Sequence, residues 1–215
     1  MEINFLTDFG SAISYIMYIF SNALLYPVMI LLMLLVVVIL MMTGEYITEY
    51  TRRHKDGVAF EKTLNTLSKA LKEPNGNEKA ADILRNMEGQ AQLVTSFSKN
   101  IADYVKDGNT LSVGRLADDY ETRMVKRTEK TRIITTVGPM LGLMGTLIPL
   151  SPALMGLTSG NVENLVSNLV IAFATTVVGL FSAGIAYCLT VVRSRWYWQD
   201  MIDIDYIIDV LEAKE

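Results

Sequence analysis

The sequence contains little cysteine, histidine or charge. Its single cysteine, Cys188, cannot form a disulfide within one chain. One histidine is too few for a histidine-based metal site or a catalytic triad. Only 20% of the residues are charged and the net charge is -4, which argues against a nucleic-acid-binding protein. Because no phosphate loop, HExxH or paired-cysteine motif is present either, we expect neither enzymatic activity nor a bound cofactor.

Charge is absent altogether from three long apolar runs. They lie at about residues 23–42, 137–157 and 165–192, and none contains Asp, Glu, Lys, Arg or His. Because about 20 apolar residues are enough to cross a bilayer, the sequence predicts three transmembrane helices. No basic segment precedes the first run and no small-residue cleavage site follows it, so we do not expect it to be a signal peptide.

The basic residues predict the orientation of these helices. All 19 Lys and Arg lie in residues 52–132 and 193–214, and none lies in residues 1–22 or 158–164. Cytoplasmic loops are enriched in Lys and Arg. The sequence therefore predicts an outer N-terminus and an inner C-terminus, in a multi-pass protein of the cytoplasmic (inner) membrane.

The predicted fold is an all-α membrane protein, in which three transmembrane helices carry long extensions into a cytoplasmic helical block. The predicted segments are an outer interfacial amphipathic helix (1–22), the first span (23–42), a cytoplasmic region of helical hairpins (45–132), the second span (133–157), the third span (165–192) and a cytoplasmic C-terminal helix (193–215). The amphipathic helix is inferred from apolar residues about four apart, namely Phe5, Phe9, Ile13, Met17 and Phe20. An early start of the first span explains this pattern equally well.

Within the cytoplasmic region, breaks in apolar periodicity predict where helices begin and end. We expect one helix from Glu45 to about Leu71, a turn at 74–77 and a second helix at about 78–106. A third helix begins near Leu111 and continues without a break into the second span. The third span continues in the same way towards the C-terminus, so two helices are about 45 residues long. At about 1.5 Å per residue, each is about 70 Å in length.

The segment that follows the third span is rich in aromatic and basic side chains. Trp196, Tyr197 and Trp198 fit an aromatic belt at the membrane surface. Arg193 and Arg195 beside them are expected to reach towards the headgroups.

The second and third spans differ from the first in carrying stripes of small residues. In GPMLGLMGTLIPL, residues 138–150, the stripe is Gly138, Gly142, Gly145 and Pro149. In the third span it includes Ala172, Gly179 and Ala183. Small residues let transmembrane helices approach closely, so the simplest interpretation is a pair of helix-packing faces.

Threonines on these stripes suggest a second role. Thr146 lies in the middle of the second span, and Thr175 and Thr176 lie in the middle of the third. A single threonine can satisfy its hydroxyl on its own helix, but two spans with hydroxyls at similar depth suggest a narrow polar path. Proton relays in membranes generally use a carboxylate or histidine. The titrating group for proton movement must therefore come from another chain.

These features together resemble the MotA/TolQ/ExbB superfamily of proton channels. The resemblance is carried by residues 138–150, by ATTVVGL at 174–180, by the three-span topology and by the large helical block. Three spans make the chain more similar to ExbB and TolQ than to MotA. The resemblance implies a pentamer whose second and third spans form a pore. It also implies an ExbD-, TolR- or MotB-like single-span partner, as a dimer, whose helices in that pore carry an Asp.

Two site residues of the family have counterparts at the matching positions of this sequence. Thr146 matches the threonine of the second-span GT motif, and Thr176 matches the third-span threonine. ExbB and TolQ proteins typically carry a pore glutamate about eight residues before the glycine that corresponds to Gly179. Ile171 occupies this position here. The departure favours a carboxylate supplied by the partner, and leaves both protons and sodium ions as possible cargo.

Two functions follow from these patterns. The first is an ion-driven motor or energy-transducing channel subunit, with Thr146, Thr175 and Thr176 on the ion path and the small residues packing the pore helices. The second is a membrane scaffold that conducts no ions, in which the small-residue faces hold an oligomer together.

Overall fold

The computed structural model describes residues 2–53, 56–87, 90–107, 111–158 and 160–213, and over these the chain is all α-helix, with no strand. Side chains are not described for residues 2–8, which include Phe5, or for 111–112. The helices of the described residues are α1 (Glu2–Ala23), α2 (Leu25–Arg52), α3 (Gly57–Leu71), α4 (Gly76–Arg85), α5 (Gln92–Lys106), α6 (Leu111–Thr158) and α7 (Val162–Glu212).

Three helical stretches are long and apolar enough to cross a membrane. They fall in Phe9–Arg52, Val113–Thr158 and Val162–Glu212. The long helices α6 and α7 have 48 and 51 residues. The all-α fold, the three candidate spans and the unbroken course of α6 and α7 are therefore confirmed. By length and composition, three such stretches are those of a multi-pass membrane protein.

The first candidate span passes from α1 into α2 with almost no interruption. The Leu24 N–H donates to the Phe20 carbonyl, and the Val28 N–H donates to the Leu24 carbonyl. Backbone hydrogen bonds thus continue across the junction. On α1, the side chains of Ile16, Met17 and Phe20 are exposed. The interfacial position of residues 1–22 stays a prediction.

The chain divides into two compact units. The span unit comprises the described parts of residues 1–43 and 131–188, and the extension unit comprises those of 44–130 and 189–215. The extension unit has a large apolar core shared by α3, α4, α5, α6 and α7, in which Leu67, Leu84, Phe97 and Ile207 are fully buried. Tyr120 packs edge-on against Phe97, with ring centroids 5.4 Å apart.

Two of the predicted cytoplasmic helices are interrupted, and those predictions are wrong. The expected helix from Glu45 to Leu71 ends at Arg52, and α3 begins at Gly57. Asp56 caps α3, because its side chain accepts a hydrogen bond from the Ala59 N–H. The Arg53 guanidinium donates to Asp200 on α7, which holds the chain where α2 ends.

The second predicted helix, 78–106, is also two helices. α4 ends at Arg85 and α5 begins at Gln92. The backbone N–H and the side-chain amide of Asn86 both donate to the Asp82 carbonyl, which closes the last turn of α4. Met87 and Ala91 lie in the connection between the two helices, and both are buried. The apolar residues of this stripe are therefore buried, as predicted, but they belong to two helices and their connection rather than to one helix.

Candidate functional site

In the span unit, α6 and α7 approach each other so closely that their backbones touch. A Cβ atom added to Gly179 would lie 2.6 Å from the Gly138 carbonyl oxygen and 2.8 Å from the Gly142 Cα. No real side chain fits at either distance, so glycine is required at this crossing. All the residues predicted to form the packing faces are buried: Gly138, Gly142, Gly145, Pro149, Ala172, Gly179 and Ala183.

One turn further along α6, Gly145 makes room for Thr175. A Cβ at Gly145 would lie 2.6 Å from both the Cβ and the Oγ1 of Thr175. The Thr175 side chain is 8% exposed, and its hydroxyl donates to the Ala172 carbonyl at 2.8 Å. Thr175 is therefore enclosed between the two helices, where its position is that of a packing residue.

Thr146 and Thr176 have a different environment, because both are half-buried. The Thr146 hydroxyl donates to the Leu143 carbonyl at 2.7 Å. The Thr176 hydroxyl makes two longer contacts, 3.3 Å to the Ala172 carbonyl on its own helix and 3.4 Å to the Gly142 carbonyl on α6. Both contacts are at the long end of the hydrogen-bond range. The Thr176 hydroxyl is therefore less firmly held than those of Thr146 and Thr175.

Helix register places Thr146 and Thr176 on the same side of the α6–α7 pair. A Cβ added at Gly145 would have the Thr175 side chain as its nearest neighbour, whereas one added at Gly142 would lie nearest the Thr176 Cα, at 3.4 Å. Thr146 lies one turn after Gly142, on the side away from Gly145. We call this side, defined by Thr146 and Thr176, the polar edge.

The first span contacts the other side of α6. Ile148 and the half-buried Leu141 pack against Val28 and Leu32 of α2. Because each helical residue turns about 100°, Thr146 is about 160° around α6 from Ile148. The polar edge therefore faces away from the α2 contact. On α7, Ile171 is about 140° from Thr176 by the same measure, so it lies off the polar edge.

If Thr175 is a packing residue, making it smaller should compensate for a larger residue at position 145. Gly145→Ala should lower the thermal unfolding midpoint in detergent, because the new methyl group overlaps Thr175. Overpacking of this kind typically costs about 1–3 kcal/mol. Combining it with Thr175→Gly should recover part of the loss, since the overlapping atoms are removed. Additive effects of the two changes, measured in a double-mutant cycle, would contradict this role.

The extension unit contains a charged and aromatic cluster that the sequence did not predict. Asp200 is 1% exposed, and its carboxylate binds the Arg53 guanidinium at 2.5 Å. Arg193 is 6% exposed and binds Glu49 at 3.1 Å. Tyr197 donates to the same Glu49 at 3.0 Å. Two ion pairs thus join the end of α2 to α7. Glu49 and Arg53 lie on the α2 side, and Arg193 and Asp200 lie on α7.

Two residues of this cluster correct the predicted membrane belt. Arg193 and Tyr197 are buried and bonded to Glu49, so they do not reach towards headgroups. Burial and the adjacent Glu49 carboxylate raise the pKa of Tyr197, because both disfavour the phenolate. The phenol therefore stays a hydrogen-bond donor. Trp196 stacks on Tyr46 with centroids 5.1 Å apart, whereas Trp198 is 72% exposed, as a belt residue would be.

Comparison with known proteins bears directly on this site. Residues 93–197 match the sequence model of the MotA/TolQ/ExbB proton channel family. This part of the chain belongs to the MotA/TolQ/ExbB family. The matched region contains the whole of α6 and most of α7, with every predicted site residue. Neither the curated proteins nor the solved structures gave a match to the chain.

The matched family is one of proton channels, so the match supports an ion-channel subunit in general terms. The match covers α6 and most of α7, the two helices that form the polar edge.

Proposed function

We propose that this protein is an ion-driven channel subunit that transduces energy, with protons as its cargo and sodium ions as the alternative. The polar edge carries this proposal. Thr146 and Thr176 come from two different helices, face the same side, and lie away from the contact with α2. Their hydroxyls are the polar groups that an ion would meet beside the close-packed glycines.

A partner chain would supply the carboxylate. The three spans hold no Asp, Glu, Lys, Arg or His, and Ile171 stands where ExbB and TolQ proteins carry a glutamate. A buried carboxylate is costly when charged and tolerated when protonated. Protonation of a partner's Asp beside the polar edge would therefore change which subunit that Asp prefers. One charge that falls through 100 mV provides about 2.3 kcal/mol for this step.

The family suggests the remaining parts of the assembly. We propose a pentamer in the cytoplasmic membrane, around an ExbD-, TolR- or MotB-like dimer of single-span helices. The N-terminus lies outside and the helical block inside. A fivefold ring cannot match two partner helices symmetrically, so successive ion steps would turn one part against the other.

The alternative, a scaffold that conducts no ions, required the small-residue stripes to hold copies together. Within one chain, however, Gly138 and Gly142 lie against Gly179, so these faces are already occupied. This contact counts against the scaffold.

Ion flux in vesicles tests the proposed function. The chain is to be reconstituted with the product of a neighbouring gene that encodes a single-span protein with one intramembrane Asp. We expect flux that is lost in Thr176→Val and on replacing the partner's Asp by Asn. Thr43→Val is the matched control, because the Thr43 hydroxyl also donates within its own helix, at 2.7 Å to the Ile39 carbonyl, but lies on α2. A sealed complex without flux would refute conduction.

A further inference from the structure

α6 crosses the membrane with three prolines inside the helix, Pro139, Pro149 and Pro152. Proline has no N–H and cannot donate to the carbonyl four residues earlier. The carbonyl of Thr135 therefore receives no hydrogen bond from residue 139. Pro149 leaves the Gly145 carbonyl, next to Thr146, without its usual helical donor in the same way. Such carbonyls are tolerated within a membrane where a polar path or another protein group satisfies them.

Thr135 adds a side-chain oxygen to its own carbonyl. Its hydroxyl donates to the Thr131 carbonyl at 3.1 Å, which leaves the lone pairs of the hydroxyl oxygen available as acceptors. Thr135 and Pro139 are both half-buried, as Thr146 is. Thr135 thus offers a hydroxyl oxygen and a carbonyl without its usual helical donor at a partly accessible position on α6.

Thr135 also shares the polar edge with Thr146. The two residues are eleven positions apart, which is close to three helical turns, so their side chains point within about 20° of each other. Along the helix they are separated by about 16 Å. Each of these two threonines therefore accompanies a carbonyl that a proline leaves without its usual helical donor: the Gly145 carbonyl near Thr146, and the carbonyl of Thr135 itself.

We propose that Thr135 is a second oxygen site on the ion path, at which a partly dehydrated monovalent cation, hydronium or sodium, binds before release. The inference rests on the proposed function. Hydroxyl and carbonyl oxygens suit both ions, because both are bound by uncharged oxygen atoms in place of water. Arg132, three residues earlier and exposed, disfavours long residence of a cation here. Weak binding is what conduction requires at a point of release.

Two substitutions test the hydroxyl and the carbonyl of this site separately. Thr135→Val removes the hydroxyl while preserving the shape of the side chain. Pro139→Ala supplies an N–H that closes on the Thr135 carbonyl, and alanine is a far better helix former than proline. We expect both variants to lose at least tenfold of the flux, and Pro139→Ala to raise the thermal unfolding midpoint as it does so. If Pro139 had only a structural role, Pro139→Ala would lower both the flux and the thermal unfolding midpoint, or leave both unchanged.

The experiment uses the vesicles with both proteins, under a pH gradient and, separately, a sodium gradient. The gradient whose flux falls in Thr135→Val identifies the ion. Thr43→Val, with its matched hydrogen bond on α2, should conduct normally. If Thr176→Val abolishes flux and Thr135→Val does not, the second site is refuted while the proposed function stands. If the unaltered complex conducts neither ion, both are refuted.

A labelling experiment gives a readout that does not depend on flux. In a Cys188→Ala background, Thr135→Cys should react with a small cationic thiol reagent added to the complex, whereas Thr43→Cys should react at least tenfold more slowly. Equal reaction rates at the two positions would show that residue 135 has no special access to ions and would overturn the proposal.

Discussion

Gly179→Ala is expected to separate α6 from α7 and to abolish function. The added methyl group would lie 2.6 Å from a carbonyl oxygen and 2.8 Å from a Cα, both in the backbone of α6. Backbone atoms of a packed helix cannot move aside as a flexible side chain can, so the two helices must shift as a whole. Overpacking costs about 1–3 kcal/mol where side chains can adjust, and we expect the upper end of that range or more.

The chain provides a matched control five residues away. A Cβ at Gly184, on the same helix, would meet nothing within 4 Å. Gly184→Ala should therefore be neutral or stabilising, because alanine favours helix over glycine by about 1 kcal/mol. Thermal unfolding in detergent and flux in vesicles should both distinguish the two variants. Equal behaviour would mean that the close crossing of α6 and α7 is not present in the membrane.

Asp200→Ala is expected to destabilise the extension unit strongly. The carboxylate is buried, and its removal leaves the Arg53 guanidinium, whose side chain is 11% exposed, without its main charged partner. Loss of one member of a buried ion pair typically costs about 3–5 kcal/mol. The thermal unfolding midpoint of the purified protein should fall accordingly.

Comparison with an exposed pair tests the role of burial. Asp119 and Arg123 form an ion pair on the surface of α6, with side chains 51% and 60% exposed. Asp119→Ala should have little effect, because water and salt already screen that pair. The double change Arg53→Met with Asp200→Leu should be less harmful than Asp200→Ala, since no buried charge is left alone. If Asp200→Ala shifts the midpoint no more than Asp119→Ala, the pair does not fix α2 to α7.

The long helices were predictable because their signals are local. Apolar runs without charge define the spans, and no breaker interrupts the course of α7 from Val162 to Glu212. The break after Arg52 had a local signal as well, in Asp56 followed by Gly57, but good helix formers on both sides outweighed it. Apolar periodicity indicates which residues face a core. It does not show whether those residues belong to one helix or to two consecutive helices.

The candidate site was predictable only in part, because its geometry depends on contacts between distant positions. The sequence placed Thr176 on the small-residue stripe of the third span, with Thr175 flanking it. Adjacent residues on a helix point about 100° apart, and only the position of α6 decides that Thr175 is enclosed and Thr176 is at the polar edge. The pair of Arg53 and Asp200 joins residues 147 positions apart. No spacing within either segment indicates that contact.

The nearly continuous α1 and α2 have a consequence for the lipid around them. Residues 9–42 contain no charged side chain and form helix throughout apart from the bonded junction at Leu24. At about 1.5 Å per residue this length is about 50 Å, whereas the hydrocarbon core of a bilayer is about 30 Å thick. Such hydrophobic mismatch is relieved by tilting the helix, bending it at Leu24 or thickening the bilayer. Activity should therefore vary with the acyl-chain length of the host membrane.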